Sequence, residues 1–510
     1  MTTSTTSSTQ TREWDQLLTS RAERKAFGKA LRSKAPRSRH AAWVPDPERP
    51  DPISLLEEAN KTRLEHLIPI RYGRMAASPF SFYRGSADIM AYDLSRTPVS
   101  GISAQICGDA HLSNFGVYAS PERRQVFDIN DFDETLSGPW EWDVKRLAAS
   151  IMLAGRQNGY SAKDSKQAVL SCVLRYRKQM QQFAEMNHLD VWYFHIDVET
   201  LIELTRRKKV KQGLERASEQ ASKRTRTQIF PKLAEAVEGE YRIKDEPPLI
   251  FHYSQQDIEE DNLDTDQGRG FVLDYLASLP LERRILISRY RPLDVAHKVV
   301  GVSSVGTLCA IVLALGGSEG DDPLFMQIKE ASVSVLEPYL GKSPFHNHGE
   351  RVVVGQRMMQ ATSDILLGWS TFGGRDFYVR QMRDMKFSAE IETMNLKAFS
   401  LYTELCAATL AHAHARTSDP SQISGYLGNA DTFDQAIASF SEAYADQAER
   451  EITLLWLPQL RKGVCKLKSA YKGKPDAIRS DSERSSRARN SSVRPGLDRP
   501  GMDSLLASSI

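Results

Sequence analysis

The sequence predicts an α+β fold with a helical insertion, and three observations carry that expectation. Short apolar runs of strand type alternate in blocks with longer runs of helical spacing. Residues 296–331 read as three apolar strands in succession, AHKVVG, LCAIVLAL and PLFMQIKEA, separated by Gly/Ser turns. Residues 161–290 are dominated by long, densely charged helical patterns. At 510 residues the chain is long enough for two or three domains, or for one large enzyme carrying insertions.

Residues 1–60 are polar and hold Pro45, Pro47, Pro50 and Pro52, which predicts a flexible N-terminal arm with a helical piece near Trp14 to Arg32. Ile102 to Cys107 and Gln125 to Ile129 have the β-branched, apolar character of short strands. Asp143 to Arg156 places apolar residues at helical spacing behind an acidic first residue, and Ala162 to Met186 and Val198 to Val237 are also largely helical in pattern. The basic run Arg206 to Lys211 fits an exposed helix face. After the three-strand block come a helix near Arg351 to Leu367, a strand at Asp376 to Gln381, and helices near Leu396 to Ala415 and Thr432 to Leu457. Residues 471–510 are rich in Ser and Arg and poor in apolar groups, the composition of a disordered basic tail.

Apolar residues at 41% and charged residues at 26% are ordinary for a globular protein, and a net charge of +2 argues against a surface built as a whole for nucleic acid or membrane. Cys107, Cys172, Cys309, Cys406 and Cys465 form no C-x-x-C pair, which fits reduced thiols better than a disulfide framework or a zinc site. The Ser/Thr-rich start has no basic-then-apolar signal pattern, and no run reaches about 18 apolar residues, so a cytoplasmic protein with no membrane partner is expected.

The segment from Gly108 to Asn114 follows a strand and sets the carboxylate of Asp109 and the carboxamide of Asn114 five residues apart in a loop. Phosphoryl transfer uses such a pair: the carboxylate orients an attacking hydroxyl and accepts its proton, while the carboxamide oxygen helps hold magnesium on the phosphates. A second strand ends in Asp128-Ile129-Asn130-Asp131-Phe132-Asp133-Glu134. Four carboxylates in seven positions repel one another unless a cation or a basic partner neutralises them. An Asx-rich turn facing water is the alternative; a calcium loop would need a regular alternation and a terminal bidentate Glu at the proper spacing, and this segment has neither.

GDAHLSNFG resembles the H-G-D-x-H-x-x-N catalytic loop of aminoglycoside and choline-type kinases, the small-molecule branch of the protein-kinase-like fold, with Cys107 in place of the first His. DFDETLSGPWEWDVKRLA resembles the D-F-D…Y-D-L-A segment of the same enzymes. The stretch from RYGRMAASPFSFYRG to WEWDVKRLAAS also resembles the DUF2252 family of uncharacterised bacterial proteins, over most of the chain. The kinase resemblance implies Asp109 as catalytic base, with His111 supporting the loop, and Asn114 and Asp131 as metal ligands assisted by Asp133. Asp143 would cap its helix or tie down the loop.

A phosphate-covering turn and a phosphate-contacting lysine are absent upstream of Asp109 but present downstream. Gly301, Ser303 and Gly306 lie in a turn between two apolar strands, where backbone N–H groups can approach phosphate, and Lys329 ends the third strand like the V-A-I-K lysine of kinases. Ser303 stands where a glycine is common, and GGSEGDDP stretches the spacing to the lysine. A β-hairpin with an exposed lysine is the bland alternative. Glu337 and Glu350 are the candidate partners of Lys329, and His412 and His414, two apart, are structural.

The order implies a two-lobed, circularly permuted kinase-like fold: residues 61–160 holding the catalytic loop, 161–290 the insertion, 291–390 the small nucleotide-binding lobe and 391–470 the helices completing the large lobe. Strand DFYVRQ would be the fifth strand of the small lobe, and helix LYTELCAATLAHAHART would precede the catalytic loop in space. The expected activity is transfer of a phosphoryl group from ATP, with Mg2+, to a small-molecule hydroxyl. Nucleotidyl transfer and a nucleotide-binding scaffold without turnover are the alternatives, and a nucleic-acid partner is not expected.

Overall fold

The structure, a computed structural model, describes residues 19–205, 208–223, 226–252, 265–317, 322–382 and 385–456. The expected basic tail at 471–510, and the start of the helical piece at Trp14, lie outside these residues.

Residues 19–60, expected as a flexible arm, are built into the body. Helix α1 (Arg21–Ala30) opens on a capping box from Ser20 and Glu23. Beyond it, His40 is fully buried against Tyr426, and helix α2 (Pro52–Asn60) starts with Asp51 capping Ser54. Three short helices follow, α3 (Ile68–Met75), α4 (Pro79–Arg84) and α5 (Ala87–Ser95). The prolines at 52, 69 and 79 stand at helix starts, where a missing N–H costs nothing, so they begin helices here instead of preventing them.

Strand β1 (Ser103–Ile106) pairs antiparallel with β4 (Leu136–Pro139), and between them β2 (Phe115–Ala119) and β3 (Gln125–Ile129) form a hairpin. Helices α6 (Trp140–Gln157) and α7 (Ala162–Glu185) follow, and both are lined with buried apolar residues. Helix α8 (His188–Tyr193) and strand β5 (Ile196–Asp197) complete a four-stranded sheet, β14-β2-β3-β5, in which β14 is Phe387–Ser388.

The segment expected to be helical to Val237 breaks into α9 (Val198–Leu204), α10 (Lys208–Ser222) and α11 (Arg226–Leu233), then turns into a hairpin, β6 (Ala234–Val237) and β7 (Glu240–Ile243). Glu238 and Gly239 make that turn with φ of 51° and 87°, the left-handed geometry that two-residue hairpin loops use.

A six-stranded antiparallel sheet runs in the order β12-β13-β11-β10-β9-β8. Its members are β8 (Ile250–Phe251), β9 (Arg291–Lys298), β10 (Cys309–Leu315), β11 (Pro323–Glu330), β12 (Gly368–Phe372) and β13 (Arg375–Gln381). Helices α12 (Thr265–Ser278) and α13 (Leu281–Ile287) precede β9; α14 (Glu337–Leu340) and α15 (His348–Met359) lie between β11 and β12. The sheet is buried on both faces, with Ile311, Leu313 and Phe325 packed toward α11 and Leu324, Met326 and Val379 packed toward Tyr275 of α12. The chain closes with α16 (Leu396–Thr417), α17 (Pro420–Leu427) and α18 (Thr432–Ile452).

The largest core joins β1–β3 to α6, α7 and α16–α18 through Trp140, Ile151, Tyr176, Phe183, Phe399 and Phe440. Helix α7 therefore belongs to the central body rather than to an insertion. α1 lies against α17 at backbone distance: a Cβ on Gly28 would stand 1.9 Å from the Gln422 carbonyl oxygen, and one on Gly425 would stand 2.1 Å from that of Lys25. Arg49 bridges Asp93 on α5 and Glu451 on α18, so the two ends of the described body are laced together. Cys107, Cys172, Cys309 and Cys406 are buried and unbridged. Among the described residues no helix is long and apolar enough to cross a membrane.

Candidate active site

The β2–β3 hairpin brings the first two predicted metal ligands together. Phe115 pairs with Ile129, so Asn114 and Asn130 sit opposite each other at the open end, and the Asn130 N–H donates to the Asn114 carbonyl at 2.7 Å. Asp131 is the next residue. The loop before β2 is shaped by Gly108, whose φ of +78° admits the turn. The Asn114 side-chain N–H donates to the Asp109 carbonyl at 2.6 Å, which leaves the carboxamide oxygen as the acceptor.

Helix α6 holds this loop from beneath. Asp143 and Arg146, three residues apart, share one helix face. Asp143 accepts from the backbone N–H groups of Cys107 and Gly108 at 2.8 and 3.0 Å. His414 of α16 lies 3.3 Å from the same carboxylate and 2.8 Å from the Tyr176 hydroxyl. The expectation that Asp143 ties down the loop and that His414 is structural describes this geometry. His412 is likewise buried, bonded to the Val191 carbonyl.

Arg146, only 1% exposed, donates to the Asp109 carboxylate at 2.7–2.8 Å and stacks 3.9 Å over the Tyr83 ring. Burial pushes the Asp109 carboxyl above its ordinary range, against the pull of Arg146 and Arg84. His111 stands 3.6 Å from Asp109, beyond hydrogen-bond reach, and burial holds its imidazole well below its ordinary value, so it is neutral.

The lysine arrives from the six-stranded sheet. Alternation along β11 puts Phe325, Gln327 and Lys329 on one face and Leu324, Met326 and Ile328 on the other. Lys329 pairs with Tyr378 in register and Gln327 with Arg380, so the same face of β13 presents a phenol and a guanidinium. Lys329 is 3% exposed and donates to Asp133 Oδ2 at 2.5 Å. The Tyr378 hydroxyl donates to Asp133 Oδ1 at 2.8 Å, and Ser304 Oγ lies 3.3 Å from Oδ2. Burial alone would raise the Asp133 carboxyl; the Lys329 ammonium, the Tyr378 hydroxyl and the Arg380 charge outweigh it and hold the group below its ordinary value. Asp131 goes the other way, pushed up by burial and by the neighbouring Asp133, with Lys329 and Arg380 as partial relief.

Several expectations are corrected here. The described residues pair Lys329 with Asp133, not with Glu337 or Glu350. Glu350 instead takes its cap from Asn347, and Glu337 stands 3.7 Å from His348. The α15 residue that reaches the acidic loop is Arg351, which donates to the carbonyls of Asp133 and Thr135 at 2.8 Å. In the glycine turn, Gly301 and Gly306 have the expected left-handed φ, 67° and 92°. Its carbonyls are fastened to the N-terminal segment, however: Arg63 donates to Ser303 and Val305 at 2.7 Å, and Arg74 donates to Gly301. It is Ser304, not Ser303, that touches the acidic loop.

A cavity of about 990 Å³ opens at this junction. Its lining includes Asn114, Asp131, Gly301, Gln327 and Arg380, but not Ser303 or Gly306. Among the described residues no three His, Cys, Asp or Glu side chains converge as a ready metal cage. Magnesium asks for less, one or two carboxylates completed by phosphate oxygens and water, and Asn114 with Asp131 is a donor set of that kind. Asp133 is committed to Lys329.

Arg146, Tyr378, Arg380, Ser304 and Arg351 were not singled out in the sequence. A signal existed for three of them: Arg146 follows Asp143 at helical spacing, and Tyr378 and Arg380 alternate with Val379 in a recognisable strand.

No curated protein and no solved structure matches this chain. A family model does, over residues 63–455, which takes in the acidic loop, the lysine strand and the helices that hold them. The chain thus belongs to DUF2252, the family described as uncharacterized protein conserved in bacteria.

Proposed function

We propose that this chain is an ATP- and magnesium-dependent phosphotransferase acting on an acceptor hydroxyl, with its kinase-like parts in permuted order. The observation that carries the reading is the closure of a sheet lysine, Lys329, onto Asp133, two residues beyond Asp131, which lines a cavity together with Asn114 and Arg380. The C-terminal end of α16 supports the permuted order. It runs beside β1, where the Gln105 N–H donates to Thr417 Oγ1 at 3.1 Å, so a link from α16 to β1 would restore the chain order of the small-molecule kinases.

Asn114 and Asp131 would hold magnesium, which when bound neutralises phosphate charge and aligns the terminal phosphoryl group. Lys329 and Arg380 bind phosphate oxygens; release of Lys329 from Asp133 is the local change this requires. Asp109 orients the acceptor hydroxyl and takes its proton. Arg146 fixes the Asp109 rotamer, and Asp143 fixes the backbone that carries it.

The test uses the purified full chain, a panel of hydroxylated acceptors, and ATP labelled at the α- or γ-phosphate. Transfer of the γ-label that is lost in Asp109→Ala and Asp131→Ala, with unchanged circular dichroism, supports the reading. Transfer of the α-label would establish nucleotidyl transfer instead. Binding of magnesium-ATP without turnover on any acceptor would point to a scaffold, and full activity in either variant overturns the site.

A further inference from the structure

The open end of the β2–β3 hairpin carries one more oxygen than the two metal ligands already named. Alternation along β2 buries Phe115 and Val117 in the core and turns Asn114, Gly116 and Tyr118 to the other face. That face is a wall of the cavity, which touches Asn114, Tyr118 and, across the hairpin from Asn114, Asn130. The D-F-D segment starts one residue later, so Asn130 lies outside it.

Asn130 is held in place from both sides. Its N–H donates to the Asn114 carbonyl at 2.7 Å. The carbonyl just before it, of Ile129, accepts from Gln360 at 2.5 Å, and Gln360 accepts from Gln356 of α15 at 2.9 Å. The side chain lies in the hollow that Gly116 leaves: a Cβ there would stand 2.6 Å from Asn130 Nδ2. That nitrogen is sealed from solvent and donates to none of the described residues. The side-chain oxygen accepts from none of them either, yet it is not sealed, so it is the end of the carboxamide that opens on the cavity. A buried donor without an acceptor is uncommon and calls for a cause, of which an ion held by the same side chain is one.

Its two neighbours are open in the same way. Asn114 Nδ2 is committed to the Asp109 carbonyl at 2.6 Å, and the Asn114 side-chain oxygen has no donor among the described residues. One Asp131 oxygen takes the Asp133 N–H at 3.2 Å, and the other has no hydrogen-bond donor among them. We infer that Asn130 Oδ1 is a third protein ligand of the divalent cation, beside Asn114 Oδ1 and Asp131. One carboxylate and two carboxamides are hard oxygen donors, and they leave half of an octahedron to phosphate oxygens and water. The inference rests on the phosphotransferase reading for naming the cation magnesium, while the ligand set stands on the three oxygens. With three protein contacts, the cation binds the chain before any nucleotide does.

The experiment titrates the full chain, free of nucleotide, with Mn2+ and follows the electron paramagnetic resonance signal of the unbound ion. One saturable site is expected, lost in Asp131→Ala and weakened about tenfold or more in Asn130→Leu, since even the groups behind a metal's direct ligands are each worth ~10–100-fold in affinity. Asn130→Asp supplies an anionic oxygen at the same length and is expected to tighten binding several-fold, which a purely structural asparagine would not produce; it also decides the matter should Asn130→Leu fail to fold. The inference is overturned by absence of Mn2+ binding to the parent, by unchanged affinity in both Asn130 variants, or by equal weakening in both. Mn2+ binding that depends on Asp131 and not on Asn130 overturns this inference and leaves the phosphotransferase reading standing. Binding that depends on Asn130, in a chain that transfers no γ-label, counts against that reading alone.

Discussion

Lys329 and Asp133 stand 196 positions apart in the chain, and their ammonium and carboxylate meet at 2.5 Å. The lysine is almost fully buried and the aspartate about one-quarter exposed, so the two partners are not equivalent. Asp133→Ala strands a buried ammonium and is expected to cost about 2–4 kcal/mol, less than the ~3–5 of a fully buried pair because water reaches the aspartate side. Lys329→Met keeps the volume without the charge and leaves Asp133 bonded to Tyr378, so a loss under half as large is expected. Urea unfolding of both variants measures the asymmetry; equal losses would contradict it.

Asp143 is the support of the loop that carries Asp109 and Asn114. Asp143→Asn leaves one acceptor oxygen where two backbone N–H groups converge, and turns an NH2 toward the other. The expected loss is about 2–4 kcal/mol, together with faster hydrogen exchange at the amides of Cys107 and Gly108. Unchanged exchange at both amides would show that the loop is held by other contacts.

Acid should destabilise the protein through buried histidines. Burial pushes His412 and His40 down to about 3 and His297 to about 4. Each folded-state value is depressed below the unfolded one, so below about pH 6.5 the unfolded chain binds the extra protons. The stability each neutral imidazole contributes is complete above that pH and is lost as pH falls, by about 2 kcal/mol per histidine between pH 7 and 5. Asp128 and Glu134, raised by burial to about 6 and about 7, run the other way, because the folded state takes up their protons first. The measurement is therefore the difference in pH slope between the parent and His412→Phe, in which those carboxylates cancel. A flatter slope is expected in the variant.

Two glycines should respond to the same substitution with opposite sign. Gly425→Ala drives a methyl into the Lys25 carbonyl and is expected to cost about 1–3 kcal/mol despite the better helix former. Gly213, inside α10 with nothing within 4 Å of its missing Cβ, should gain about 0.5–1 kcal/mol on the same change. Thermal melts of the two variants check the pair.

What could be read from the sequence follows the range of the interactions involved. β3 has the bounds expected, and β10 and β11 come within one residue, because turn residues and apolar runs lie next to each other in the chain. Residues 19–60 were misread because their prolines and polarity say nothing of Tyr426, almost 400 residues away, on which His40 packs. The β6 segment, Ala-Glu-Ala-Val, is helical by composition and becomes a strand only through the Glu238-Gly239 turn and its partner. In the site, Asp109, Asn114 and Asp131 were visible because a loop and a hairpin keep them near in sequence. The partner of Lys329 was sought on a helix glutamate, and no local pattern marks a pairing between a strand and a loop from different halves of the chain.

The family match begins at residue 63, yet α1 already lies against α17, and Arg49 already joins α5 to α18. The recurring part of the family is thus narrower than the folded object it sits in. A piece trimmed to the shared stretch would bare the Gly425 side of α17 and leave Asp93 and Glu451 facing each other without their cation.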